Sequence, residues 1–312
     1  MPEYNHASHP SAHPAASLVR LVACVLVFLS LPFAESKGAD ARGGNDGAGA
    51  AATVSKGSPG VFTVKTDDGV YQFTFDTRQC APELAAWVRE ELVPAVKEYY
   101  PKIVRFLPSK GFSAYKDVSI TFKQYKGTSW AIANGNHISC NPAKFLDFKK
   151  EGIAKVIHEM THVVQGGGNW GRTVPVWLSE GIADYVRYTC QPPKERAPSP
   201  RTYHYETGYY GAAYFLYWIA GTYDKDIVPK LTAAGRQGSF GRRGINSDKV
   251  FKQLTGRTLQ ELNAEWQAFQ KLNGSVWKAF QARPGQAVLK YSNEDLRAPF
   301  LQQGQASPEK AK

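Results

Sequence analysis

The chain has 312 residues, 43% of them hydrophobic, with 38 Lys and Arg against 27 Asp and Glu and a net charge of +11. It is long enough to bury one sizeable core or two small ones, and we expect one main domain. The positive charge favours contact with anionic surfaces such as cell-wall polymers, and it is explained equally well by a role in solubility. No basic cluster accompanies a nucleic-acid-binding motif, so no specific nucleic-acid partner is predicted.

The first 36 residues have the pattern of a secretory signal peptide. Arg20 precedes a mostly apolar run, residues 21–34, which is too short for a stable membrane span and is followed by small residues. Cleavage after Ser36 or after Ala41 would fit the small-residue rule. We therefore expect the protein to be secreted, to the extracellular space or the periplasm, with no membrane anchor once the signal is removed.

Export would leave three cysteines, Cys80, Cys140 and Cys190, in an oxidising environment. Because their number is odd, at most one internal disulfide can form, and the sequence does not show which two would pair. Their spacings contain no C-x-x-C, so a cysteine-rich metal site is not expected.

Two segments lack the periodicity of regular structure. Residues 37–58 consist mainly of Gly, Ala and polar residues and predict a flexible linker. Residues 284–312 are polar with scattered Pro, Gly and Gln and predict a loosely ordered tail. The folded domain is therefore expected over residues 59–283.

The first half of this domain predicts a small mixed β-sheet backed by a helix. Alternating runs around Asp68-Gly69 and Asn134-Gly135 predict two β-hairpins. Residues 82–107 carry apolar side chains at helical spacing, with a kink expected at Pro94. Residues 117–125 predict a buried strand.

The second half is predicted to be helical. The expected helices span residues 147–165, 175–188, 208–221, about 226–234, 247–254 and 258–271. Strands followed by helices indicate an α+β domain.

The sequence HEMTH lies within the first of these helices. Four positions separate His158 from His162, so the two imidazoles project from one face of the helix, about 40 degrees apart. Zinc accepts histidine nitrogens, and in catalytic sites it takes three protein ligands and leaves one position for water. Glu159 can reach such a water and act as its general base. The pattern also fits two surface histidines on an ordinary helix, so a third ligand is needed to support a metal site.

The next predicted helix supplies a candidate third ligand. Glu180 and Asp184 lie one helical turn apart, 18 residues or more after the HEMTH segment, and a glycine-rich turn between the two helices would return the chain. Glu180 would then complete the metal site, and Asp184 would accept the N–H of a ligating histidine. In isolation this pair would more often be two solvent-facing acids.

Four segments together resemble the basic secretory protein family, secreted proteins of plants and microbes classed as zinc metallopeptidases of the gluzincin type. They are HEMTHVVQ, LSEGIADYVR, GYYGAAYFLYW and FKQLTGRTLQELNAEW, within about residues 60–272. The resemblance implies a zincin-like fold: a small mixed sheet, an active-site helix and a helical C-terminal half. It also implies Zn²⁺ bound by His158, His162 and Glu180, with Glu159 as the base.

The expected reaction is hydrolysis of peptide bonds in a polypeptide substrate, by a zinc-activated water with Glu159 as the base. Tyr209 is the first candidate to stabilise the oxyanion, because the family has a Gly-Tyr pair that matches Gly208-Tyr209. The other candidates are Tyr210, Tyr203, Tyr205 and His204. Resemblance to zincins also suggests that the strand around residues 130–133 pairs with an extended substrate.

Two other functions remain open at this point. The protein could be a secreted binding or defence protein that keeps the zinc site without turnover, although the presence of Glu159 argues against this. It could also be a zinc hydrolase of a non-peptide amide. His137 is expected to be a hairpin residue, and Lys194 and Arg196 are expected to be solvated loop charges.

Overall fold

The computed structural model describes residues 58–127, 129–145, 149–166, 170–190 and 203–272. All of them belong to the unit Ala50–Lys312. The predicted signal peptide, the predicted C-terminal tail, the loop with Lys194 and Arg196, and all of the predicted linker except Ser58 lie outside the described residues. No helix of the described part is both long enough and apolar enough to cross a membrane.

Five short strands form one mixed sheet. They are β1 (Val61–Lys65), β2 (Gln72–Asp76), β3 (Asp117–Phe122), β4 (Ala131–Asn134) and β5 (His137–Cys140), in the order β1-β2-β3-β5-β4. The two antiparallel pairs, β1 with β2 and β4 with β5, are the predicted hairpins. The inner pairs, β2 with β3 and β3 with β5, are parallel. As a result, β4 is an edge strand.

The segment between the hairpins is helical, with one distortion. It consists of α1 (Pro82–Trp87), a π-helical turn (Val88–Leu92) and α2 (Val93–Phe106). The backbone N–H of Val93 donates to Val88, five residues earlier. Pro94 has no N–H to donate to the preceding turn, which explains why the regular hydrogen-bond pattern fails at this point. In place of the kink expected at Pro94, the helix thus has a π-helical turn just before this residue.

One face of the sheet is buried under these helices. Phe73, Phe75, Ile120 and Ile138 alternate with less buried neighbours along β2, β3 and β5, and all four are completely buried. Tyr100 of α2 packs edge-on against Phe73, with ring centroids 5.3 Å apart. The burial of side chains thus alternates along these strands with a period of two, as expected for strands with one buried face.

The remaining elements are helices, and the six that the sequence predicts lie within about two residues of their predicted ends. They are α3 (Pro142–Phe145), α4 (Lys149–Gln165), α5 (Trp170–Thr173), α6 (Val176–Cys190), α7 (Tyr209–Thr222), α8 (Ile227–Arg236), α9 (Ser247–Thr255) and α10 (Leu259–Leu272). The short helices α3 and α5 were not predicted, because a single turn has no measurable periodicity. The described chain is thus α+β, with a small mixed sheet and a mainly helical second half.

Helices α6 and α7 pack at very short range. A Cβ atom added to Gly181 would lie 2.5 Å from the Cβ of Ala212 and 3.3 Å from its backbone carbonyl carbon. Only glycine fits there without moving one of the helices. Since Gly181 directly follows Glu180, this contact sets the position of Glu180 relative to the start of α7.

Candidate metal centre and active-site cleft

Helices α4 and α6 bring three potential metal ligands together. The Nε2 atoms of His158 and His162 lie 3.1 Å apart, and Oε2 of Glu180 lies 3.1 Å from the first and 3.5 Å from the second. Within the described chain, these three residues form a group that could hold a metal ion. The spacing of four along α4 and the return of the chain into α6 produce this convergence, as the sequence predicts.

The donor set fits a small tetrahedral ion. Zinc binds histidine nitrogen and carboxylate oxygen at about 2.0 to 2.2 Å, which places neighbouring ligand atoms about 3.3 Å apart in a tetrahedron. The observed separations of 3.1, 3.1 and 3.5 Å bracket this value. Two nitrogen donors and one carboxylate also match a site with one position left for water.

A carboxylate fixes the orientation of His158. Oδ1 of Asp184, one turn after Glu180, lies 2.7 Å from Nδ1 of His158, and Nη2 of Arg187 donates to Oδ2 of Asp184 at 3.2 Å. Asp184 is only 1% exposed. A carboxylate can only accept here, so Nδ1 carries the proton and Nε2 is the atom turned toward Glu180 and His162.

A separate network orients His162, and sequence reasoning missed it. Oε1 of Gln165 lies 2.7 Å from Nδ1 of His162, and Nε2 of Gln165 donates to the carbonyl of Ser179 at 3.0 Å. The Ser179 hydroxyl donates to Oε1 of Gln165 and accepts from the indole N–H of Trp170. Because Gln165 follows His162 by three residues, both lie on the same face of α4, and this spacing could have identified it. The network also ties α4 to the residue before Glu180.

The ionisable groups of the site perturb one another. Burial acts to lower the pKa of His158, but its hydrogen bonds to Asp184 and Glu180 outweigh burial and raise that pKa to about 9. Burial acts to raise the pKa of Glu180, but hydrogen bonds from His158 and His162 lower it to about 2. Such perturbation is characteristic of functional sites.

Glu159 faces a cleft of about 730 Å³ that also contains the three candidate ligands. Its side chain is half-buried, and it has no hydrogen bond or ion pair with another residue of the described chain. The strand β4 and Tyr209 also line the cleft. A free carboxylate beside the ligands is available to exchange protons with water or substrate.

Tyr209 is held at the cleft by an unusual backbone. Gly208 has φ 68° and ψ −165°, a conformation nearly restricted to glycine, and Tyr209 itself has φ 44°. The Tyr209 ring stacks on His158 at a centroid distance of 6.0 Å and is 53% exposed. Burial and the charges of Glu180, Asp184 and Glu159 raise its pKa, so the phenol is protonated at neutral pH.

The other oxyanion candidates do not line this cleft. Tyr205 is buried against Trp177 and Phe215, and Tyr203 packs edge-on against Tyr210. His204 lies near Glu206 and Asn263 instead. Among the five residues considered from the sequence, Tyr209 is therefore the one placed to contact a substrate.

Arg236 of α8 holds the end of the metal helix. Its guanidinium donates to the carbonyls of Val164 and Gln165 at 2.5 and 3.1 Å, and to the carbonyl of Leu107 at 2.7 Å. It also lies over the ring of Phe112, 3.4 Å from the centroid. These bonds satisfy the last carbonyls of α4 and place a cation at the negative end of the helix dipole.

His137 and the cysteines are not part of the group of candidate ligands. The two ring nitrogens of His137 lie 2.6 and 3.0 Å from the hydroxyls of Ser119 and Ser139 within the sheet, so it is a hairpin residue as predicted. Cys80, Cys140 and Cys190 are free thiols in the structure. Burial raises the pKa of Cys80 to about 12, which leaves little reactive thiolate.

The part of the chain that contains the cleft matches a family of peptidases. A family profile described as "Peptidase of plants and bacteria" matches residues 110–266, half of the chain and the whole of the cleft. The chain belongs to this family, BSP, in agreement with the resemblance found in its sequence. No curated protein matches the chain.

One solved structure shows a distant similarity. It is an M1 zinc metallopeptidase mutant from Deinococcus radiodurans bound to a Tyr-Ser-Ala substrate, with 12% identity and a TM-score of 0.32. The match covers 77% of this chain and 51% of that chain, so the chain spans about half the length of that enzyme. A likeness this distant does not define an activity.

Proposed function

We propose that the protein is a secreted zinc metallopeptidase with a zincin-like fold of the gluzincin type. The observation that carries this proposal is the convergence of His158, His162 and Glu180 at 3.1 to 3.5 Å, beside Glu159 in an open cleft. Membership of a peptidase family supports a polypeptide substrate. Secretion is supported by the signal-peptide pattern of the first 36 residues alone.

Each residue of the site has a defined task in this proposal. His158, His162 and Glu180 would hold the ion, which when bound lowers the pKa of water and polarises a carbonyl. Glu159 takes a proton from the attacking water and then delivers it to the leaving amine. Asp184 and Gln165 keep the Nδ1 atoms of the two histidines protonated, which leaves both Nε2 lone pairs free for the ion.

Two further parts of the cleft would handle the substrate. The protonated phenol of Tyr209 can donate to the oxygen that becomes negative as the carbonyl is attacked. The outer edge of β4 is not paired with another strand of the described chain. An extended peptide can therefore add to this edge and pass over the candidate ligands.

Removing the metal tests the proposal as a whole. We expect the full-length secreted protein to cleave a mixed peptide library, to lose this activity after treatment with a zinc chelator, and to regain it when zinc is added back. Mass spectrometry of the products measures the cleavage. A protein that binds about one zinc per chain yet cleaves no peptide would instead support the binding or defence function.

Asp184→Asn should weaken the site without abolishing it. The amide keeps an oxygen for Nδ1 of His158 but loses the charge, so zinc affinity or activity should fall about ten- to a hundredfold. Chelator competition gives the affinity and peptide cleavage gives the rate. Asp226→Asn, a change of the same type at an exposed position, is the control. Unchanged values for Asp184→Asn would show that Asp184 does not orient His158.

A further inference from the structure

One lysine lies among the described residues that line the cleft. Lys155 precedes His158 by three residues and Glu159 by four, so it projects from the same face of α4. Of the described residues that line the cleft, Lys155 is the only lysine or arginine. At a rise of about 1.5 Å per residue, its backbone is only about 5 Å along the helix axis from that of His158.

Among the residues that the structure describes, the ammonium group of Lys155 has no carboxylate partner. No Asp or Glu of the described chain lies within ion-pair distance of it, although its side chain is half-buried. Its neighbour is the ring of Trp130, whose centroid lies 5.9 Å from Nζ. Burial, and to a lesser extent the charge of Arg187, lower the pKa of Lys155 despite the nearby Asp184, Glu151 and Glu159. An unpaired and partly desolvated cation gains free energy when an anion binds to it.

The acidic groups of the cleft are already assigned to other partners or tasks. Asp184 is bonded to His158 and Arg187, and Glu180 contacts both histidines. Glu159 is the proposed base. Among the described residues, no acidic group of the cleft is therefore left to pair with Lys155, and a bound ligand can supply one.

Lys155 lies where an extended substrate would pass. Trp130, which it contacts, directly precedes the edge strand β4, and both line the same cleft. A peptide paired with β4 advances about 3.3 Å per residue and points alternate side chains to one face. A group that reaches Lys155 would thus belong to a residue within one or two positions of the scissile bond.

We propose that Lys155 forms a subsite for a substrate carboxylate, so that the enzyme prefers peptide bonds near an acidic side chain or near a free C-terminus. This specificity rests on the proposed peptidase function. The shared chemistry is a carboxylate close to the scissile bond. The two sources of that carboxylate can be separated by the choice of peptides.

The test measures binding in a variant that does not turn over. In full-length, zinc-loaded Glu159→Gln protein, three peptides of one length are compared: one with an internal Glu and an amidated end, one with Gln and a free end, and one with Gln and an amidated end. We expect one of the first two to bind about ten- to a hundredfold more tightly than the third, with the difference falling at high salt. The tighter of the two identifies the source of the carboxylate.

Substitutions of Lys155 decide the proposal. Adding Lys155→Met or Lys155→Gln should remove the preference and leave binding of the neutral peptide and zinc content unchanged. Lys155→Arg should retain the preference, and Lys252→Met, at an exposed position of α9, should have no effect. Having two neutral variants guards against a folding defect in one of them. Equal affinity for all three peptides, or a preference that survives both neutral substitutions, would refute the subsite.

The proposed function and the subsite can fail separately. If the wild-type protein cleaves peptides but Lys155→Met leaves its sequence preference intact, the enzyme stands and the subsite is wrong. If the wild-type protein cleaves nothing but Lys155-dependent binding of carboxylate peptides is found, the subsite stands and the peptidase function is wrong.

Discussion

Glu159→Gln should abolish peptide cleavage while the protein keeps its zinc. Glutamine has nearly the same size as glutamate but cannot accept a proton, so kcat/KM should fall by about a hundred- to ten-thousandfold, the usual contribution of general acid–base catalysis. Zinc should remain at about one ion per chain, because Glu159 is adjacent to the ligands without being one of them. Peptide cleavage and metal analysis on the same sample measure both quantities.

Glu151→Gln provides a matched control for this experiment. Glu151 lies about two turns earlier on the same helix and its side chain is exposed, so activity should not change. Wild-type activity in Glu159→Gln would remove Glu159 from the mechanism. Loss of zinc in that variant would mean that Glu159 is needed to hold the metal.

Glu180→Ala should release the metal. Without the carboxylate, the site retains two imidazoles from α4 and loses the donor that closes it from α6. We expect zinc affinity to fall by more than about a hundredfold, beyond the effect of residues that only orient ligands. Peptide cleavage should be lost at limiting zinc. Zinc should raise the melting temperature of the wild-type protein, because it binds preferentially to the folded state, and it should not raise that of the variant.

Glu206→Ala is the control for Glu180→Ala. Glu206 is exposed and does not line the cleft, so its replacement should leave zinc affinity unchanged. A variant with alanine at position 180 that binds zinc as tightly as the wild type would exclude Glu180 as a ligand. It would also remove the observation on which the proposed function depends.

The features predicted best from the sequence are those in which helical spacing coincides with the spacing that metal ligands require. The spacing of His158 and His162 places them on a common face of α4, and α6 brings Glu180 and Asp184 to them. The helices of the second half were predicted nearly to their ends because apolar residues recur at helical spacing over several turns. Family membership, seen first in the motifs, is confirmed by the family profile.

Other features depend on tertiary contacts that periodicity does not encode. The parallel placement of β3 between β2 and β5 brings together strands far apart in the chain, and the two hairpin signals could not give this order. The hydrogen bonds between Gln165 and Ser179 could not be predicted without knowing how α4 and α6 face each other. The role proposed for Lys155 depends on its having no carboxylate partner among the described residues, which the sequence alone does not show. Zinc as the ion, Tyr209 as an oxyanion donor and secretion stay predictions.

The clamp that Arg236 forms on α4 has a consequence for motion within the domain. The guanidinium joins the last carbonyls of α4 to the segment after α2, so this end of the helix cannot slide or fray unless several partly buried hydrogen bonds break together. Hydrogen exchange of the amides around residues 160–165 should therefore be among the slowest in the domain. The β4–β5 hairpin has an open edge, and its amides should exchange much sooner. Entry of a substrate would then involve movement of the β4–β5 hairpin, while α4 stays fixed.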